Sequence, residues 1–187
     1  GWSTLGWFTD PILSNMLKRN DGDLASLIIH EMVHATVFVK DDVNFNENLA
    51  SFVGDTAAYY FLASHFGRDS EQFIQYLQED QDYRIYSQHI LRGTKALDSL
   101  YKSFESAESL KTKRQNKETM MQQIMTSADT LSLFRALKSS ANRMPNNTYF
   151  MSYHLYQARQ DNFNKELDIE FSGDLKAYIK HLTGKYP

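Results

Sequence analysis

Cysteine is absent from all 187 residues. That excludes a disulfide framework, a thiol nucleophile and thiolate-ligated zinc together. Proline is nearly as scarce, at 3 residues, and glycine contributes only 8. With so few breakers the chain is free to form long helices. No apolar run approaches the roughly 18–20 residues that span a bilayer, so the sequence contains no transmembrane helix. A basic excess is missing too. Lys and Arg number 20 against 23 Asp and Glu, a formal net charge of −3, which argues against general nucleic-acid binding. What the chain does have is a globular composition, 42% hydrophobic and 23% charged. Its length suits a single domain, 1–187, with a real core. Gly rather than Met stands at position 1, and the expectation is a processed form or a piece of a longer protein.

The pattern along the chain is helical. Asp10-Pro11 has the form of a helix start, with Ile12, Leu13, Met16 and Leu17 on one face. Asn20-Asp21-Gly22 then breaks the chain, and Asp23 is placed to cap the next helix. From Leu24 to about Val39 the residues are apolar nearly all round. The run is too long for an ordinary strand, so it predicts a helix buried on most sides. A polar loop follows, then a helix from about Glu47 to His65 that Gly67 ends.

Between Ser70 and Ser139 there is one Gly and no Pro. Apolar positions recur at Tyr83, Tyr86, Ile90, Leu97, Leu100 and Phe104, with Gly93 in the same seam. They resume at Met121, Ile124, Leu131, Phe134 and Leu137, after the polar stretch Lys111–Glu118. This spacing predicts a long antiparallel helical hairpin with the Lys/Arg run at its turn. After a break at Met144–Asn147, helices over about Thr148–Arg159 and Gly173–Leu182 complete the chain. The expected fold is mainly α, a helical bundle with little or no sheet.

Chemistry concentrates in His30-Glu31-Met32-Val33-His34, an HExxH pattern inside the apolar helix. Residues i and i+4 lie one above the other on a helix, so both imidazoles can reach one metal ion. Glu31 can then face a water molecule activated by that ion. The competing reading makes this the wet side of an amphipathic helix. Leu27, Ile28, Met32, Val33, Ala35 and Val37 leave too narrow a polar face for that, and burying two His and a Glu without partners is costly. A catalytic zinc takes three protein ligands and keeps one position open. Glu47, thirteen residues after His34, can supply the third. The competing reading makes it the third residue of a capping box headed by Asn44, and the HExxH already present favours the ligand role.

These residues resemble the gluzincin metallopeptidases, whose aminopeptidase branch carries an Asn-Glu-x-x-Ala second motif, here Asn46-Glu47-Asn48-Leu49-Ala50. The gap between the motifs is shorter than in thermolysin or the zinc aminopeptidases. Closer in pattern is the bacterial predicted-aminopeptidase family, which is similar in three blocks: Gly6–Leu13, His30–Ala50 and Pro145–Tyr156. The blocks are spread over most of the chain, and the middle one is the specific one.

The resemblance implies a zincin-like HExxH helix, one Zn2+ per chain and hydrolysis of a peptide or protein substrate in the bacterial envelope or periplasm. His30, His34 and Glu47 would hold the zinc. Glu31 would take the proton of the attacking water and pass it to the leaving nitrogen. Tyr153, with Tyr149 and Tyr156, is a candidate for a second donor to the oxyanion, although a helical aromatic stripe also fits a core. Ser51 and Asp55 are candidates to orient a ligand imidazole. Asn146 and Asn147 either bind substrate backbone or form the turn. His65, His89, His154 and His181 have no partner spacing.

The alternative is a non-catalytic zinc-containing peptide-binding module, or a helical interaction module. A module of that kind would be free to lose Glu31, which is present here. In gluzincins the metal-binding helix follows a sheet. Here it begins near residue 23, and related chains extend further upstream. The expectation is a C-terminal catalytic part with a complete metal site and an incomplete substrate cleft.

Overall fold

The computed structural model describes residues 16–135 and 145–186, with the backbone alone at residues 17 and 154–158. The helix start at Asp10-Pro11 lies outside the described residues. Among those described, every regular element is helical: α1 (Asp21–His34), α2 (Val43–His65), α3 (Glu71–Ser103), α4 (Leu110–Ser127), α5 (Asn147–Phe171) and α6 (Leu175–Lys185). Two 3-10 turns, Met16–Lys18 and Ala128–Thr130, accompany them. The mainly α expectation holds, and none of these helices is long and apolar enough to cross a membrane.

Local chemistry sets the helix ends. The cap of α1 is Asn20 rather than Asp23: its side-chain oxygen accepts the Asp23 amide at 2.7 Å. Asp21 and Asp23 occupy the first turn, where the helix dipole favours acidic groups. The helix ends at His34, not near Val39. Thr36, Val37 and Val39 are β-branched and poor helix formers, and the Thr36 and Val37 amides both close on the Val33 carbonyl. Asp41, at φ +63°, then turns the chain. Asp42 caps α2 by accepting the Phe45 amide at 2.8 Å, so α2 begins four residues ahead of Glu47. Gly67 follows the last turn at φ +93°, a conformation that favours glycine.

The chain forms two compact units, and α3 and α5 each run through both. The first takes in residues up to Leu77 and those from Ala158 onward. Its core joins Val33 and Val37 to Leu49, Phe52 and Val53 of α2, Phe163 and Leu167 of α5, and Leu175, Tyr178 and Leu182 of α6. Each such side chain contributes roughly 1.5–3 kcal/mol when fully buried. Here α1 and α2 run antiparallel. Successive turns bring His34 to Glu47, His30 to Ser51 and Ser26 to Asp55. Gly54 permits the approach: a Cβ there would lie 2.7 Å from the Ser26 carbonyl oxygen and 3.3 Å from the His30 nitrogen.

The expectation that α1 is buried on most sides is corrected. Only Gly22, Val33 and His34 of this helix are buried, while Ile28 is 44% and Met32 60% exposed. A run that is apolar all round averages over faces, and α2 covers one of them.

The second unit, Gln78–Gln157, has its own core of Ile90 and Leu97 from α3, Met121 and Ile124 from α4, and Phe150 from α5. Gly93 faces Ile124, where a Cβ would come within 2.6 Å of its side chain. The Lys111–Glu118 stretch is not a turn. It lies within α4, and the break falls at residues 104–109, where Ser109 caps α4 by accepting the Thr112 amide at 3.1 Å. The helix stops at Ser127, and Phe134 is 57% exposed outside it. The Asp82 carboxylate accepts the Phe134 and Arg135 amides at 2.8 and 2.9 Å. Leu137 lies outside the described residues. Helix α5 continues well past Arg159, because Phe163 and Leu167 still find a core to enter.

Candidate metal centre

His30 and His34 occupy successive turns at the end of α1, and Glu47 lies in the second turn of α2. The spacing of the pair is local helix geometry. Glu47 comes to them because α2 returns antiparallel along α1. His30 Nε2 and His34 Nε2 stand 3.1 Å apart. The Glu47 carboxylate straddles them, with Oε2 3.5 Å from His30 Nε2 and Oε1 3.3 Å from His34 Nε2. One ligand atom from each residue lies within 4.8 Å of the others.

The donor set fits a small divalent cation. Donors held about 2.0–2.2 Å from one tetrahedral zinc are separated by about 3.3–3.6 Å, close to the distances found. Two neutral imidazoles facing nitrogen to nitrogen can place only one proton between them, so lone pairs otherwise confront each other. His34 is buried, at 5% exposure, and its Nδ1 has no hydrogen-bond partner among the described residues. Burial, and secondarily the proximity of His34, lowers the pKa of His30, against the raising effect of Glu31, Glu47 and Asp55. The imidazole is therefore held neutral with a lone pair to offer.

Glu47 is the fifth residue after its cap Asp42. This removes the capping-box reading in which Asn44 heads the helix. The Glu47 side chain is 56% exposed, so one side of the donor set is open to solvent. Glu31 follows His30 directly, and its Oε2 is buried with no hydrogen-bond partner among the described residues. Ser51 Oγ lies 3.4 Å from His30 Nδ1. The Asp55 carboxylate accepts from Ser26 Oγ at 2.7 Å and from the Tyr76 hydroxyl at 3.4 Å.

The tyrosines of the third block belong to the second unit. Tyr149 and Tyr153 pack with ring centroids 5.3 Å apart, Tyr83 stacks on Tyr153, and Tyr86 meets it edge to face. The Tyr86 and Tyr149 hydroxyls are 2.7 Å apart. Burial, first among the causes, raises the pKa of both Tyr149 and Tyr153, so both hydroxyls keep their protons at neutral pH. The side chain of Tyr156 lies outside the described residues. Asn146 takes the turn role: its Oδ1 accepts the Tyr149 amide at 3.0 Å. Asn147 Oδ1 accepts from the Tyr101 hydroxyl at 2.9 Å.

Sequence reasoning missed Gly54 and the cap at Asp42. A glycine inside a helix costs about 1 kcal/mol relative to alanine, so its presence there was itself a signal of close packing. Asp42, three residues ahead of Phe45, has N-cap spacing.

Comparison with known families finds one described as "Putative aminopeptidase", whose model matches residues 1–184. No curated protein and no solved structure matches.

Proposed function

The chain belongs to the putative aminopeptidase family, and from that premise we propose that it is a zinc-dependent peptidase of the gluzincin type. His30, His34 and Glu47 would hold one Zn2+ per chain, and Glu31 would act as general base. The observation that carries this reading is the convergence of two imidazole nitrogens and a carboxylate within 4.8 Å, on the helix that also bears Glu31. Bound there, zinc would polarise the scissile carbonyl and lower the pKa of water. Glu31 takes a proton from the attacking water and delivers it to the leaving amide nitrogen, which departs as an amine. Ser51, near His30 Nδ1, helps to fix the tautomer that presents Nε2. The family description makes a peptide with a free amino terminus the substrate to try first.

Metal content and hydrolysis of such peptides by the purified chain, Glu31→Gln and His30→Ala test the reading. Glu31→Gln should retain about one zinc per chain and lose at least about 100-fold in kcat, the scale of general-base catalysis. His30→Ala should lose the metal itself. Hydrolysis unchanged by Glu31→Gln, or a wild-type chain without zinc at neutral pH, would sink it.

A further inference from the structure

The loop between the two ligand helices is closed by a side chain that neither binds metal nor touches a ligand. Asn46 is buried, at 4% exposure, and its amide matches the backbone of Val39 on both sides. Nδ2 donates to the Val39 carbonyl at 2.8 Å, and the Val39 amide donates to Oδ1 at 2.8 Å. A primary amide offers one donor and one acceptor side by side, as a neighbouring strand would. Val39 lies five residues after His34, and Asn46 immediately precedes Glu47. The pair therefore ties the loop that leaves α1 to the start of α2, within the segment between His34 and Glu47.

We infer that Asn46 is a positioning residue for the metal site, a clip that holds the start of α2 in place so that Glu47 meets His30 and His34. The inference rests on the zinc site proposed above. The Asp42 cap on the Phe45 amide and the Phe45 ring against Phe163 and Tyr186 hold one side of this start, and the clip holds the side that faces the incoming loop. Val43 is 70% exposed, and Asn44 and Glu47 are exposed as well. Terminal turns of this kind fray. Fraying here would carry Glu47 away from two imidazoles that stay fixed in α1. The clip also divides the labour within the Asn-Glu pair, since Asn46 sets the backbone and Glu47 supplies the ligand. Ala50, fully buried three residues beyond Glu47, anchors the following turn in the core.

The test is zinc affinity of the full chain, by competition with a chromophoric chelator, together with hydrogen exchange at the Val39 amide. Asn46→Ala removes the clip, and Asn46→Leu removes it while keeping the volume. Tyr178→Phe, which loses only the hydroxyl bond to Glu166 in the first-unit core, serves as the control for general destabilisation. Both Asn46 variants should keep wild-type helical circular dichroism, exchange faster at Val39 and bind zinc about 10–100-fold more weakly. Tyr178→Phe should keep wild-type affinity. A folded Asn46→Ala or Asn46→Leu with wild-type affinity overturns the clip, as does an affinity loss shared equally by Tyr178→Phe. Should Asn46→Ala fail to fold, Asn46→Leu alone decides. A wild-type chain that takes up no zinc overturns the proposed site instead, which separates the two failures.

Discussion

Glu47 differs from the two histidines in how it is held. His34 is buried and His30 half-buried on the inner side of α1, whereas the Glu47 side chain is 56% exposed and reaches inward from the rim. Truncating a half-exposed side chain perturbs stability little, within about 0.5 kcal/mol. Glu47→Ala should therefore leave the urea unfolding midpoint of the metal-free chain unchanged. It should weaken zinc binding by more than about 100-fold, beyond the usual cost of losing an outer partner, as titration calorimetry can measure. Equal loss of folding and of binding would instead make Glu47 a structural residue. At this scale much of the site was legible. His30, Glu31 and His34 declare themselves through helix spacing, and Glu47 through the need for a third donor. The role of Asn46 was not legible, because its partner is the backbone of Val39 and backbone groups leave no mark in a sequence.

Among the elements, the α1–α2 pair governs the site, and its separation is set by Gly54. A Cβ at that position would meet backbone, the Ser26 carbonyl at 2.7 Å, and backbone within a helix cannot swing aside. Gly54→Ala should thus cost about 1–2 kcal/mol net, overpacking outweighing the better helix propensity of alanine. It should also weaken zinc binding by moving His30 away from Glu47. Gly93→Ala is the instructive contrast. The nearest atom there is Cγ2 of Ile124 at 2.6 Å, a side chain that can rotate, in a core with no share in the site. Its stability loss in urea denaturation should be the smaller of the two, with zinc affinity unchanged. The sequence marked Gly93 through its place in an apolar seam. Gly54 was marked only as a glycine inside a helix, and its partners were hidden because they are near in space and distant along the chain. Helix ends were the least legible feature: α1 stops earlier, and α2 starts earlier, than the apolar patterns indicate. Caps such as Asn20 and Asp42 decide these ends through single hydrogen bonds that hydrophobic periodicity does not register.

For the molecule as a whole, the proposed metal site would couple to folding through the first unit, which holds all three candidate donors. A ligand that binds only the folded chain stabilises it by about 2.7 kcal/mol at a hundredfold excess over Kd. For a chain of this length that amounts to a rise of several degrees in Tm. Zinc should raise the Tm, EDTA should reverse the rise, and His34→Ala should abolish it. Hydrogen exchange should slow most at the end of α1 and the start of α2, where the ligands sit. A zinc-induced rise that persists in His34→Ala would place the metal elsewhere.

The sequence by itself determined the helical character of the chain and singled out the candidate metal donors. Both are local properties: few breakers permit long helices, and a spacing of four residues puts two imidazoles on one face wherever that helix goes. Only the tertiary structure decided that Glu47 meets them, that His34 is the deeper of the two, and that the basic run of α4 is helix rather than turn. Those outcomes depend on which helix packs on which face and how closely. Two small features far from obvious in the sequence, the missing Cβ at Gly54 and the amide of Asn46 paired to Val39, set that approach through contacts that exist only once the chain has folded.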